Sequence, residues 1–148
     1  MENILKIDRS SLFEPVSFED MGSGWFIEEQ DKRSLAITSV DLETVSLKTM
    51  INLGEKCVHG EEKLRRLTEA GYIRLDARIF QTLWEKQFYI PEMWKSANAI
   101  FFDGTILSDP FGNRCVVYLY WNNGKWHWLY GWLESEWFIN DYSACIVP

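Results

Sequence analysis

The sequence predicts one α+β domain in which a C-terminal antiparallel meander of three or more strands packs by one Trp-rich face on a central αα-hairpin. Three observations predict it. The 148 residues are 47% hydrophobic and 25% charged, a size and composition at which a chain buries roughly 70% of its unfolded surface and needs no metal or disulfide support. Apolar residues recur at helical spacing through the middle of the chain. Beyond residue 98 they alternate with period two around an Asn-Gly pair. On this reading residues 1–24 are an irregular arm, 25–97 are mainly helical and 98–148 form an antiparallel sheet.

The arm is polar and turn-rich and ends in Gly22-Ser23-Gly24; Trp25-Phe26-Ile27 then opens a short strand. Over residues 35–51, Leu42, Val45, Thr49 and Met50 approximate helical spacing while the β-branched residues favour strand, and Asp41 as N-cap tips the balance to a helix. Leu64, Leu67 and Ala70 mark a helix that Gly71 stops. Asp76 caps a second helix, whose apolar stripe runs through Ile79, Phe80, Leu83, Trp84 and Phe88. Pro91 suits the first turn of a third, short helix ending at Trp94.

The meander is legible almost residue by residue. Asn123-Gly124 between alternating runs specifies a type I′ hairpin, because both tip positions need positive φ. Trp121 then opposes Trp126, Leu119 opposes Trp128, Val117 opposes Tyr130 and Cys115 opposes Trp132, all on one face. The other face carries Val116, Tyr118, Tyr120, His127, Leu129 and Gly131. Asp109-Pro110-Phe111-Gly112 suits a type I turn, so residues 100–107 are a third strand. A strict ladder would set Asp103 unpaired on the Trp face, and a bulge at Asp103-Gly104 avoids that cost.

Charge narrows the function. Fifteen Lys and Arg against twenty-two Asp and Glu give a formal charge of −7, which disfavours general nucleic-acid binding and suits a basic partner. The longest wholly apolar run, residues 115–121, is far short of the roughly 20 a membrane helix needs. No signal-peptide pattern leads the chain, and three cysteines without a CxxC fit a reducing cytoplasm. No membrane attachment and no cofactor are expected.

Chemical motifs are sparse. Cys115 and His127 fall on opposite faces of the hairpin and cannot form a nucleophilic pair, and Cys57-x-His59 is a weak ligand spacing. Glu134 and Glu136, beside Trp132 and Trp137, offer the paired carboxylates of a carbohydrate-binding or glycosidase-like protein. The two central helices match a helix-turn-helix DNA-binding regulator in length, with Arg78, Gln81 and Thr82 as base-reading residues. Against that, residues 60–90 hold six basic and five acidic residues, a net of +1. The favoured function is non-catalytic: a small acidic protein-interaction module or inhibitor, binding a protein through Tyr118, Tyr120 and His127 with an acidic rim from Glu134, Glu136 and Asp141. Its oligomeric state is left open.

The stretches GEEKLRRLTEAGYIRLDARIFQTLW (60–84) and FFDGTILSDPFGNRCVVYLYWNNGKWHW (101–128) resemble segments of uncharacterised bacterial proteins. The resemblance implies a bacterial or phage origin and a self-contained domain, and it implies no activity, cofactor or site.

Overall fold

The computed structural model describes residues 4–148. In chain order the strands are β1 (Ile4–Lys6), β2 (Phe26–Gln30), β3 (Ser39–Asp41), β4 (Ser46–Lys48), β5 (Cys57–His59), β6 (Ile73–Arg74), β7 (Ala99–Phe101), β8 (Thr105–Ser108), β9 (Arg114–Asn122), β10 (Lys125–Trp132), β11 (Glu136–Phe138) and β12 (Asp141–Ile146). Three helices interrupt them: α1 (Lys32–Leu35), α2 (Gly60–Glu69) and α3 (Ala77–Glu85). The fold is mixed α+β, dominated by one large, mostly antiparallel sheet.

The β9–β10 hairpin has the expected register: Trp121 faces Trp126, Leu119 faces Trp128, Val117 faces Tyr130 and Cys115 faces Trp132. Its tip is the type I′ turn that the residues demand, with Asn123 at φ 52° and Gly124 at φ 76°. At the other end of β9, Gly112 at φ 85° closes a turn whose amide donates to Asp109 O at 3.0 Å.

β7 and β8 lie end to end along the second edge of β9, Ile100 opposite Leu119 and Leu107 opposite Cys115. Phe102, Asp103 and Gly104 break the strand between them and shift its register along β9, yet Asp103 stays buried. At the break the sheet forks, β2 continuing from β8 and β12 from β7. Into the fork comes β6: Gly104 N donates to Leu75 O at 2.9 Å, and Leu75 N to Ala144 O at 3.1 Å. Gly104 is obligatory here, since a Cβ would lie 2.6 Å from the Leu75 carbonyl carbon.

Several expectations are corrected. Asp41 does cap, accepting from Glu43 N at 3.0 Å, but it caps only one 3₁₀ turn over Leu42–Thr44, and the chain then enters β4, because β4 finds a partner in β12. The part over 25–97 contains five short strands and is not mainly helical. The arm is not irregular throughout, since β1 pairs with β3. The last sheet segment is not wholly antiparallel, as β12 runs parallel to β7. Gly71 and Asp76 bound α2 and α3 as expected, yet β6 lies between the helices and they join different cores, so they are no αα-hairpin.

The larger core lies on the Trp side of the sheet, where Ile79, Phe80 and Leu83 of α3 meet Val117, Leu119 and Trp126. Phe13 and Phe18 of the arm complete it, and Phe18 and Phe80 both pack edge-on against Trp128. α3 ends before Phe88, which is exposed and not part of its stripe. The smaller core lies on the opposite face, where Leu64 of α2 packs with Phe101, Ile106, Val116, Leu133 and Trp137. No helix among the described residues is long and apolar enough to cross a membrane.

Candidate functional site

The alternation along β9 and β10 sends Tyr118, Tyr120 and His127 to the α2 face of the sheet, together and half-buried. The arm, packed on the Trp face, leaves them uncovered. Their rings form a continuous series. His127 stacks on Tyr120 with centroids 5.0 Å apart, Tyr120 lies 5.8 Å from Tyr118, Tyr118 lies 4.7 Å from Phe101, and Phe101 stacks on Trp137 at 4.0 Å. The series runs from solvent at His127 to the smaller core at Trp137.

Beside it runs a groove of about 380 Å³ whose lining includes Asn98, Tyr118, Tyr120, Trp132, Ser135 and Asp141. Small residues make room for it: Gly131 sits where a larger side chain would press on Phe101. Trp132 is 48% exposed although its register belongs to the Trp face. Asp141, expected in the acidic rim, is instead buried at the groove floor. It accepts from Asn98 Nδ2 at 2.6 Å and from Phe138 N at 2.8 Å. Glu134 and Glu136 are exposed, and neither lines the groove, whereas Ser135 between them does. Glu136 Oε2 accepts from the Cys57 thiol at 2.7 Å. The two glutamates therefore flank no common cleft of the kind a glycosidase pair needs.

Under the inner end of the ring series lies Lys63, a fully buried cation. Its ammonium stands 5.5 Å from the Phe101 ring centre and 4.8 Å from that of Trp137, and it donates to Asp141 O at 2.9 Å. Burial pulls its pKa down to about 8, against the attraction of Asp103 and Asp141. Asp103, at the fork, has its pKa raised by burial, against the attraction of Lys63 and a hydrogen bond from the Ser143 hydroxyl. Its Oδ1 has no hydrogen-bond partner among the described residues. Motif and charge patterns do not single out this pair. The one signal for it in the sequence is spacing, for Lys63 stands one position before Leu64 and four before Leu67, on the buried stripe of α2.

The remaining candidates are dispersed. On α3, Arg78 donates to Gln81 Oε1 at 2.9 Å and to Asp8 O at 3.2 Å. Thr82 is buried and back-bonds to Arg78 O at 2.8 Å, so it does not form an exposed reading face with them. Burial pushes the Cys115 and Cys145 thiols up to about 12, and the Glu136 carboxylate raises that of Cys57, so none is an activated thiolate at neutral pH. Among the described residues no three His, Cys, Asp or Glu side chains converge as metal ligands.

Comparison with protein-family models, with curated proteins and with solved structures finds no match to this chain.

Proposed function

We propose that this chain is a non-catalytic protein-interaction module or inhibitor of the cytoplasm, small and acidic, that takes a protein partner on the groove beside Tyr118, Tyr120 and His127. The observation that carries the reading is the uncovered ring series. Its members combine flat apolar bodies with polar tips, and such residues are enriched where proteins meet. Asn98, Ser135 and the Tyr120 hydroxyl supply hydrogen-bonding groups along the same wall. The formal charge of −7, with Glu134 and Glu136 exposed on either side of Ser135, favours a partner that presents basic residues. The raised thiol pKa values of the three cysteines, and the failure of Glu134 and Glu136 to line the groove, favour binding over thiol or glycosidase chemistry.

The test is comparative capture from a bacterial extract. The immobilised chain, a Tyr120→Ala/His127→Ala variant and a Phe88→Ala/Met93→Ala variant are compared side by side. Phe88 and Met93 are exposed beside a different cavity of about 530 Å³ and serve as the control. The expected result is a partner retained by the parent and the control and lost by the groove variant. Retention by all three, or loss by the control alone, would refute the groove.

A further inference from the structure

The large sheet has an unguarded edge. β2, at one end, is protected by a bulge between Ile27 and Glu29 and by Glu28 and Glu29 themselves. β4, at the other, is three residues long and ends in Lys48, and β6 is two residues long. β10 is different. It is eight residues long, and among the described residues it pairs with β9 alone. Between Lys125 and Leu133 its sequence, Trp-His-Trp-Leu-Tyr-Gly-Trp, holds no acidic residue, no Lys or Arg and no Pro. Monomeric proteins ordinarily place such residues on an edge to stop it pairing.

The register says which groups this edge offers. Leu133 N donates to Arg114 O at 2.9 Å, so Gly131, Leu129, His127 and Lys125 turn their amides and carbonyls toward β9. Those of Trp126, Trp128, Tyr130 and Trp132 point away from the sheet. Next to this row, Leu129 is 44% exposed, Tyr130 36% and Trp132 48%.

We propose that β10 pairs with β10 of a second copy of this chain, antiparallel across a two-fold axis at Leu129, joining two sheets into one. The edge is self-complementary in that arrangement. Antiparallel pairing about Leu129 matches Trp128 with Tyr130 and Trp126 with Trp132, so outward amides meet outward carbonyls, that of Trp132 being shared with Ser135 N, which already donates to it at 3.0 Å. Leu129 meets its own copy. His127, a large side chain, falls over Gly131, which has none, so the second copy's ring reaches the rim of the aromatic groove. Lys125 falls beside Leu133, within reach of the exposed Glu134, which supplies charge complementarity at both ends of the joined strands. A one-step shift of register would turn outward amides toward inward ones and is excluded by the pleat. This inference does not rest on the proposed partner binding, and its readout is separate.

The experiment measures the mass of the full chain by sedimentation velocity and light scattering from low to high micromolar concentration. The parent is expected to be a dimer at the upper end. Leu129→Lys, which sets two ammonium groups face to face at the axis, is expected to weaken association at least about tenfold, a change of roughly 1.4 kcal/mol. Lys125→Glu is expected to weaken it less, and Lys125→Glu/Glu134→Lys to restore it. Unchanged far-UV circular dichroism and melting of these exposed-site variants exclude misfolding as the cause. A parent that stays at the mass of one chain throughout overturns the proposal, as does a dimer indifferent to Leu129→Lys or a charge swap that fails to restore association.

Discussion

Gly104 and Asp103 occupy the fork of the sheet, and both are set by close approach. The backbone of Arg74 and Leu75 fills the space a side chain at 104 would need. Gly104→Ala should therefore cost more than about 3 kcal/mol in urea unfolding, well above the usual penalty of a surface change; a loss within 0.5 kcal/mol or so would mean that β6 is not seated there. Next to it, Lys63 and Asp103 compensate each other in the interior. Lys63→Met should cost about 3–5 kcal/mol by leaving buried Asp103 with Arg74 alone of the two cations that attract it, and adding Asp103→Asn should recover part of that loss. Simple additivity of the two changes would show that the charges are not coupled. The pH dependence has a definite sign. The Lys63 pKa is lowered from 10.5 to about 8 in the folded protein, so between those values the unfolded chain holds a proton that the folded chain has released. The contribution of Lys63 to stability then rises with pH through that window. Chemical unfolding below and within it should show the stability of the parent relative to Lys63→Met rising with pH, the opposing contribution of the buried Cys115 and Cys145 thiols being common to both; an identical pH profile for both would contradict the burial of the cation.

At the scale of elements, the β9–β10 hairpin is legible in the sequence because its determinants are local. Asn123-Gly124 admits one turn type, and alternation on both sides then sets every cross-strand pair. The break at Asp103-Gly104 is legible for a related reason, since a carboxylate does not belong unpaired on an apolar face. The illegible elements are non-local. Ser46–Lys48 and Ile73–Arg74 are too short to carry a period, and they are strands only because β12 supplies partners distant in sequence. The same insertion of β6 separates α2 from α3 and sends their apolar stripes to opposite faces, which helical spacing alone cannot indicate. Trp126 tests the division of faces directly. It is buried in the larger core, edge-on to Trp121, so Trp126→Ala should cost about 3–5 kcal/mol. Tyr120→Ala, on the half-exposed face, should cost about 1 kcal/mol or less. Equal losses in thermal or urea unfolding would contradict the assignment. Tyr118 is a poorer probe than its place in the sequence suggests, because it packs on Phe101 at 4.7 Å and burial raises its hydroxyl pKa.

For the whole molecule, the aromatic residues divide into two populations with different work. Phe13, Phe18, Phe80, Trp94 and Trp126 fill the larger core and, with the half-buried Trp128 against them, hold α3 and the arm on the sheet. The series from His127 to Trp137 lines the opposite face, anchored at its inner end by Lys63 and open at its outer end beside the groove. The proposed binding residues Tyr118, Tyr120 and His127 are readable from the sequence as one set, because a strand places alternate residues on one face. Their neighbours Asn98 and Ser135 are not, and Asp141 is readable only as a rim residue and not as the buried floor, since all three reach the groove from the loops and strands around β7, β11 and β12. This open end is the proposed partner site. The most direct measurement is the comparative capture of a partner by the parent chain, Tyr120→Ala/His127→Ala and Phe88→Ala/Met93→Ala at matched folded concentration. Only the Tyr120→Ala/His127→Ala variant is expected to lose the partner while melting like the parent; a partner that remains bound to that variant would place the site elsewhere.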